Sequence, residues 1–266
     1  MKRSDIINKP KKSLGQNFLT DENISRKTVN LLNIQPDDYF LEIGPGYGSL
    51  TKNLIEQTKN LVCVEIDNDI AEKITVEYPD IKVINDDILN IKYDSMVTAG
   101  NKLRIVGNIP YNITSQIVFQ AIDQRESVRD LTIMVQLEVA ERIVAKPRTK
   151  AYGILSVVAQ AYSEPKLLFK IPPQCFFPQP NVQSGILHFD FSINYEKQII
   201  DHALFRKLIR TTFAKRRKMM SNSIEDMGKD LNFKIIDFDF SKRPEELSVE
   251  EFIELSNKLS ASFPDL

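Results

Sequence analysis

The sequence predicts an α/β fold, a parallel sheet with helices on both faces, followed by a small C-terminal helical domain. Three observations carry this. Short apolar runs alternate with segments of helical period through the first half of the chain. A glycine-rich stretch, residues 44–48, separates the first apolar run from the first helical segment. Beyond Tyr195 the pattern becomes helical only.

The elements follow in order. Residues 39–43 form a short buried strand, and the glycine stretch turns the chain into a helix through Leu50, Leu54 and Ile55. Residues 61–65 are a second strand, ending in Glu65, and a helix covers 70–78. A third strand, 81–84, ends at Asp86 and Asp87. A fourth, 103–107, runs into Asn108, and 131–135 is a fifth. After Pro172, Pro173, Pro178 and Pro180, residues 184–191 read as a late strand in a hairpin with 167–171. Leu204, Leu208 and Ile209, then the amphipathic 249–259, make the C-terminal helices. The boundary falls near 192–195, giving domains 1–193 and 194–266.

Composition narrows the class. At 266 residues, 42% hydrophobic and 27% charged, the chain has the makeup of a soluble globular protein of one large domain with an appendage. No stretch approaches the roughly 18 apolar residues of a membrane helix. The basic N-terminus lacks the apolar core of a secretory signal. Cys63 and Cys175 have neither metal nor disulfide spacing, and Cys63 lies in an apolar run, so a reducing, cytoplasmic setting is expected. His188 and His202 have no evident chemical partners.

A net charge of −1 hides an uneven distribution. Lys2, Arg3, Lys9, Lys11 and Lys12 stand against Asp5 alone at the N-terminus. Arg206, Lys207, Arg210, Lys215, Arg216, Arg217 and Lys218 form a second cluster with no acid between them. The acid-rich tail from Ser221 onward cancels the sum. Local fields steer a polyanion, so phosphate contact is expected at 206–218, against the competing reading of a solvated helix face.

Every chemically interesting group follows the carboxyl end of an expected strand, where open α/β sheets bind ligands. Gly44, Gly46 and Gly48 let backbone approach a ligand where a Cβ would block it. Their spacing is not the dinucleotide Gly-x-Gly-x-x-Gly, and S-adenosylmethionine has no pyrophosphate to seat on a helix dipole; the glycine loop and the string at 108–111 together suggest that cofactor, against the competing reading of a plain turn between strand and helix. Glu65 can accept both ribose hydroxyls, against the competing reading of a solvated strand-end acid. Asp87 can accept from the cofactor's adenine amine, with Asp86 the competing choice and helix capping the competing role. The string Asn108-Ile109-Pro110-Tyr111 suits methylation of an exocyclic amine. Asn108 Oδ1 and the Ile109 carbonyl would accept the two amine protons, Pro110 stiffens the turn, and Tyr111 offers a ring for stacking. The competing reading makes Asn108 a cap for a helix starting near Thr114. Phe176 would bring a second ring to the cleft opposite Tyr111, whereas Phe177 reads as core.

These strings occur together with Lys12 to Leu19, Glu65-Ile66-Asp67, Phe176-x-Pro178-x-Pro180-x-Val182-x-Ser184 and Phe213-Ala214-x-Arg216-Arg217-Lys218. From about Lys11 to the C-terminus the chain resembles the ribosomal RNA adenine N6,N6-dimethyltransferase family. The resemblance implies a Rossmann-like S-adenosylmethionine-dependent methyltransferase sheet in 1–193 and an RNA- or ribosome-binding helical domain in 194–266. It implies dimethylation of two adjacent adenosines in a hairpin loop near the 3′ end of 16S rRNA, on the precursor small ribosomal subunit. The sequence itself leaves oligomeric state open, with a monomer favoured, and points to no membrane partner and no metal. By matching position, Asn17, Leu19, Gly44, Glu65, Asp87 and Asn108 would contact the cofactor, and residues 15–18 would fold over it. Gly15-Gln16 and Arg216-Arg217-Lys218 favour this branch over the Erm-type large-subunit enzymes, towards which Ile109 leans. A non-catalytic ribosome-assembly factor is the reading from another class, and intact Asn108, Pro110 and Tyr111 argue against it.

Overall fold

The computed structural model describes residues 10–97, 100–228 and 235–263. Lys2, Arg3, Asp5 and Lys9 of the basic N-terminal segment lie outside the described residues. The chain divides into two compact units. The first takes residues up to Ala140 together with Lys166–Ser192, and the second takes Glu141–Pro165 and Ile193 onward. This differs from the expected split into 1–193 and 194–266, because the segment 141–165 packs with the C-terminal helices.

The first unit is built on a sheet of seven strands. Its parallel part comprises β2 (Tyr39–Ile43), β3 (Leu61–Val64), β4 (Lys82–Ile84), β5 (Leu103–Asn108) and β6 (Val128–Gln136). The late strands are β7 (Glu164–Ile171) and β9 (Ser184–Asp190). The order across the sheet is β4-β3-β2-β5-β6-β9-β7, with β9 antiparallel to β6. The neighbouring positions of β9 and β7 match the expected hairpin. The strand order reverses direction at β2 and β5, and the crevice beyond their carboxyl ends is where such sheets bind ligands. A two-stranded ribbon joins β1 (Phe18–Leu19) to β8 (Phe176–Phe177).

The helices follow from local chemistry. Asp21 caps α1 (Glu22–Leu31) by accepting from the Asn23 and Ile24 amides, and Asp67 caps α3 (Asn68–Glu77). The helix after the glycine loop is short, α2 (Thr51–Leu54), and α4 (Thr114–Asp123) follows a 3₁₀ turn at Tyr111–Ile113. A core of Phe40, Leu50, Leu54, Cys63, Val106, Met134, Phe176 and Ile186 fills the space against the sheet. Two buried ion pairs close its amino edge: Arg104 meets Asp38 at 2.7 Å and Asp130 at 2.8 Å.

The second unit is helical: α6 (Ile154–Tyr162), α7 (His202–Ala214), α8 (Met220–Ile224) and α9 (Val249–Ser262). It begins within α5 (Leu137–Ile143). The buried stripe of α7, namely Leu204, Phe205, Leu208, Ile209, Thr212 and Phe213, has the 3–4 spacing of a core-facing helix. Phe213 stacks on Phe252 of α9 at 5.8 Å and meets Tyr152 edge-on at 6.2 Å. No helix among the described residues is long and apolar enough to cross a membrane.

Candidate active site

The carboxyl ends of β2, β3, β4 and β5 open onto one cavity. It is lined by Asn17, Leu19, Gly44, Gly46, Glu65, Asp86, Asp87, Asn108, Ile109, Pro110 and Tyr111, so the sequence-predicted groups are gathered in one place. Gly48 does not line it, facing the Tyr78 ring instead, and neither does Phe176. Phe176 is 1% exposed and packed in the core. It pairs with Leu19 in the two-stranded ribbon, and both side chains belong to one buried apolar cluster, so the aromatic that the sequence suggested would face the cleft is a core residue. Phe177, expected in the core, is half-buried.

Gly44 and Gly46 both hold positive φ, +62° and +55°. A Cβ on Gly46 would press on the Phe18 ring at 3.0 Å, so the loop lies close under the N-terminal segment. Glu65 is not a solvated strand-end acid. It is 6% exposed, accepts from the Asp67 amide at 3.0 Å, and receives a long contact from the Gly46 amide at 3.4 Å. Burial pushes its carboxyl above the usual range. Asp87 caps the 3₁₀ turn Ile88–Asn90 through the Leu89 amide at 2.9 Å while still lining the cavity. Asp86 is more exposed and accepts from Asn90 at 2.9 Å.

Asn108 ends β5, and its side chain is not a helix cap, since α4 begins without a side-chain cap. Instead Asn108 Nδ2 donates to the Asn17 carbonyl at 2.7 Å. A backbone carbonyl only accepts, so this bond fixes which end of the amide is which and turns Oδ1 away as an acceptor. Among the described residues no donor reaches the Ile109 carbonyl. Tyr111 Oη shares a 2.7 Å hydrogen bond with Ser184 Oγ, and burial raises its pKa. Ser184 is fully buried at the start of β9. Its role was not legible as a contact, although it closes the Phe176-to-Ser184 string.

Glu42 was also missed as an electrostatic element. It is 1% exposed, accepts from Thr51 Oγ1 at 2.7 Å, and burial pushes its carboxyl up to about 7. The clamp of Lys11 and Gln16 on Asp67 bridges chain positions too distant for any local pattern to expose.

The basic segment 206–218 lies in the second unit, and part of its charge is committed there. The Arg206 guanidinium sits over the Tyr162 ring at 5.2 Å. Lys215 pairs with Asp226 at 2.7 Å, and Arg216 pairs with Glu245 at 2.6 Å and donates to the Thr149 carbonyl at 3.1 Å. The expected density of free charge is corrected accordingly: the acids absent from the segment arrive from later in the chain. Lys207, Arg210, Arg217 and Lys218 are exposed.

This fold and site define a Rossmann-like methyltransferase of the kind that uses S-adenosylmethionine. Comparison with known proteins makes the assignment narrower. The model of the family described as ribosomal RNA adenine dimethylase matches residues 7–260. "Ribosomal RNA small subunit methyltransferase A" of Chlorobium chlorochromatii is 45% identical over 246 residues, 92% of each chain. The protein of that name from Francisella tularensis subsp. novicida is 39% identical over 258 residues, 95% of this chain and 98% of the relative. Among solved structures, a dimethyladenosine transferase from Plasmodium falciparum shares the fold at a TM-score of 0.74 and 22% identity, covering 92% of this chain and 98% of that one. The 23S rRNA methyltransferase ErmE shares it at 0.65 and 23%, covering 91% and 99%. The chain belongs to the ribosomal RNA adenine dimethylase family.

Proposed function

We propose that the enzyme dimethylates the N6 amines of two adjacent adenosines in a hairpin loop near the 3′ end of 16S rRNA, on the assembling small subunit. The observation that carries the chemistry is the held amide of Asn108, with Oδ1 directed away from its Asn17 anchor. The small-subunit relatives, similar over nearly their whole length, support the choice of RNA.

The residues fit the cofactor. A Cβ on Gly44 would meet nothing nearer than the Asn108 carbonyl at 3.8 Å, so the glycine leaves a cradle that a side chain would fill. Glu65 would accept the ribose hydroxyls, Asp87 the adenine amine, and Asn17, Leu19, Gly44 and Gly46 would close around the ligand. S-adenosylmethionine supplies an electrophilic methyl group when bound.

The adenine amine is a weak nucleophile because its lone pair is conjugated with the ring. Asn108 Oδ1 and the Ile109 carbonyl accept hydrogen bonds from its two N–H groups and draw the lone pair out of conjugation. Pro110 keeps the turn rigid, and Tyr111, held by Ser184, stacks the base. Once nitrogen attacks, its proton becomes acidic and leaves to water, so no strong general base is needed. A base in folded RNA reaches this pocket only when extruded from its stack. The exposed Lys207, Arg210, Arg217 and Lys218 would contact phosphate, and Arg206, Lys215 and Arg216 would support them. Two buried free thiols, Cys63 and Cys175, suit a reducing cytoplasm.

The test incubates the protein and labelled cofactor with separate unmethylated small and large subunits, using wild type and Asn108→Ala. Label recovered as dimethyladenosine in the small subunit is the expected result, with Asn108→Ala slower by about 10²–10³ and particle affinity kept. Label in large-subunit RNA supports the Erm-type reading, and label in neither supports a non-catalytic assembly factor.

A further inference from the structure

Residues 10–20 form a strap fastened to the first unit at both ends. At one end Lys11 Nζ reaches Asp67 Oδ1 at 2.6 Å and Asp69 Oδ2 at 3.0 Å, and Gln16 Nε2 reaches Asp67 Oδ2 at 2.8 Å. Gln16 Oε1 meanwhile accepts from the Lys11 amide at 2.7 Å, which closes the strap into a compact loop. At the other end Phe18 and Leu19 pair with Phe177 and Phe176, and the Thr20 amide and hydroxyl both donate to the Cys175 carbonyl. Between these anchors lies Asn17, whose carbonyl receives Asn108 Nδ2. The strap runs close over the Asn108 motif: a Cβ on Gly15 would stand 3.2 Å from Asn112 Oδ1 and 3.5 Å from Pro110 Cβ.

A carboxamide has two ends of opposite hydrogen-bonding sense. If Asn108 rotates by half a turn about its last torsion, it presents a donor to the amine N–H and loses the acceptor role proposed above. Among the described residues, only the Asn17 carbonyl distinguishes the two orientations. The geometry points to Lys11 and Gln16 as positioning residues for methyl transfer: by pinning the strap to Asp67 they hold the Asn17 carbonyl in place and, through it, the amide of Asn108. This inference rests on the reading of Asn108 as the amine acceptor. Asp67 also donates its amide to Glu65 Oε1, so one residue joins the strap to the acid expected at the cofactor ribose.

Lys11 tests this most cleanly, because it is exposed and does not line the cavity. Single-turnover methylation at saturating cofactor and particle is compared for wild type, Lys11→Met, Lys11→Arg, Asn108→Ala and the Lys11→Met/Asn108→Ala double variant. Each is run on whichever ribosomal subunit the wild type labels. We expect Lys11→Met to slow transfer about tenfold and raise the ratio of mono- to dimethyladenosine, and Lys11→Arg to restore the rate. The double variant should be no slower than Asn108→Ala alone, since the clamp acts only through that amide. A wild-type rate for Lys11→Met, a loss confined to the cofactor KM, or a loss that multiplies onto that of Asn108→Ala overturns the inference while leaving the enzyme's function standing. Label in the large subunit overturns the small-subunit reading alone, and a wild type inactive on both subunits overturns both.

Discussion

Glu42 shows how a single buried carboxylate sets a pH dependence. In the unfolded chain it titrates near 4.5, and in the folded protein burial raises this to about 7 despite hydrogen bonds from Thr51 and Cys63. The folded state holds the proton more tightly. The stability linked to Glu42 is therefore full below about pH 4.5 and is lost as pH rises through 7. Glu42→Gln keeps an oxygen for both donors and has no charge to bury. It should match wild type in acid and exceed it by up to about 3 kcal/mol above neutrality. Urea unfolding of both proteins at about pH 5 and pH 8 checks this, and a gain that is equal at both pH values counts against it. At this scale the sequence was a good guide to which residues gather at the cavity and a poor one to how they are held. Glu65, Asp87 and Asn108 follow strand ends and could be found by counting. That Asn108 is anchored by Asn17, or Tyr111 by Ser184, depends on contacts between distant segments that no local spacing encodes.

Among the elements, the parallel strands were the most legible. They are covered on both faces, so they read as continuous apolar runs such as Leu61-Val62-Cys63-Val64. The ribbon of β1 and β8 has only two residues in each strand, too few to show a period, and so the burial of Phe176 was misread. α1, α5 and α6 were also missed: the strong cap at Asp21 precedes a polar helix, and α6 is apolar on nearly every side. Gly107 carries a prediction at this scale. A Cβ there would meet the Ile43 carbonyl of the adjacent strand at 2.5 Å, and backbone inside a paired sheet has little room to yield. Gly107→Ala should cost about 2 kcal/mol or more in chemical denaturation by forcing β5 from β2. A variant with unchanged stability would mean that the two strands separate more easily than their pairing implies.

On the scale of the whole molecule, net charge was a poor descriptor and local charge only a partial one. The segment 206–218 is locally basic, yet Asp226 and Glu245 return to neutralise Lys215 and Arg216. The charge left for a polyanion is therefore smaller than the count of lysines and arginines. Replacing Arg217 and Lys218 by glutamine should weaken binding to the ribosomal particle and flatten the slope of log affinity against log salt by roughly one unit per lost contact. Cofactor titration of the same variant should match wild type, and an unaltered salt slope would return the segment to an ordinary solvated face. The placement of residues 141–165 in the second unit has a further consequence, one for synthesis. Tyr152 Oη donates to the Leu247 carbonyl across 95 positions of sequence, and α6 packs on both α7 and α9. While the chain emerges from a translating ribosome, the first unit can complete its sheet once β9 is free. The apolar faces of α6 must wait until almost the last residues are made. A nascent chain halted near residue 193 would thus hold a finished sheet and an unfinished helical unit with apolar surface exposed.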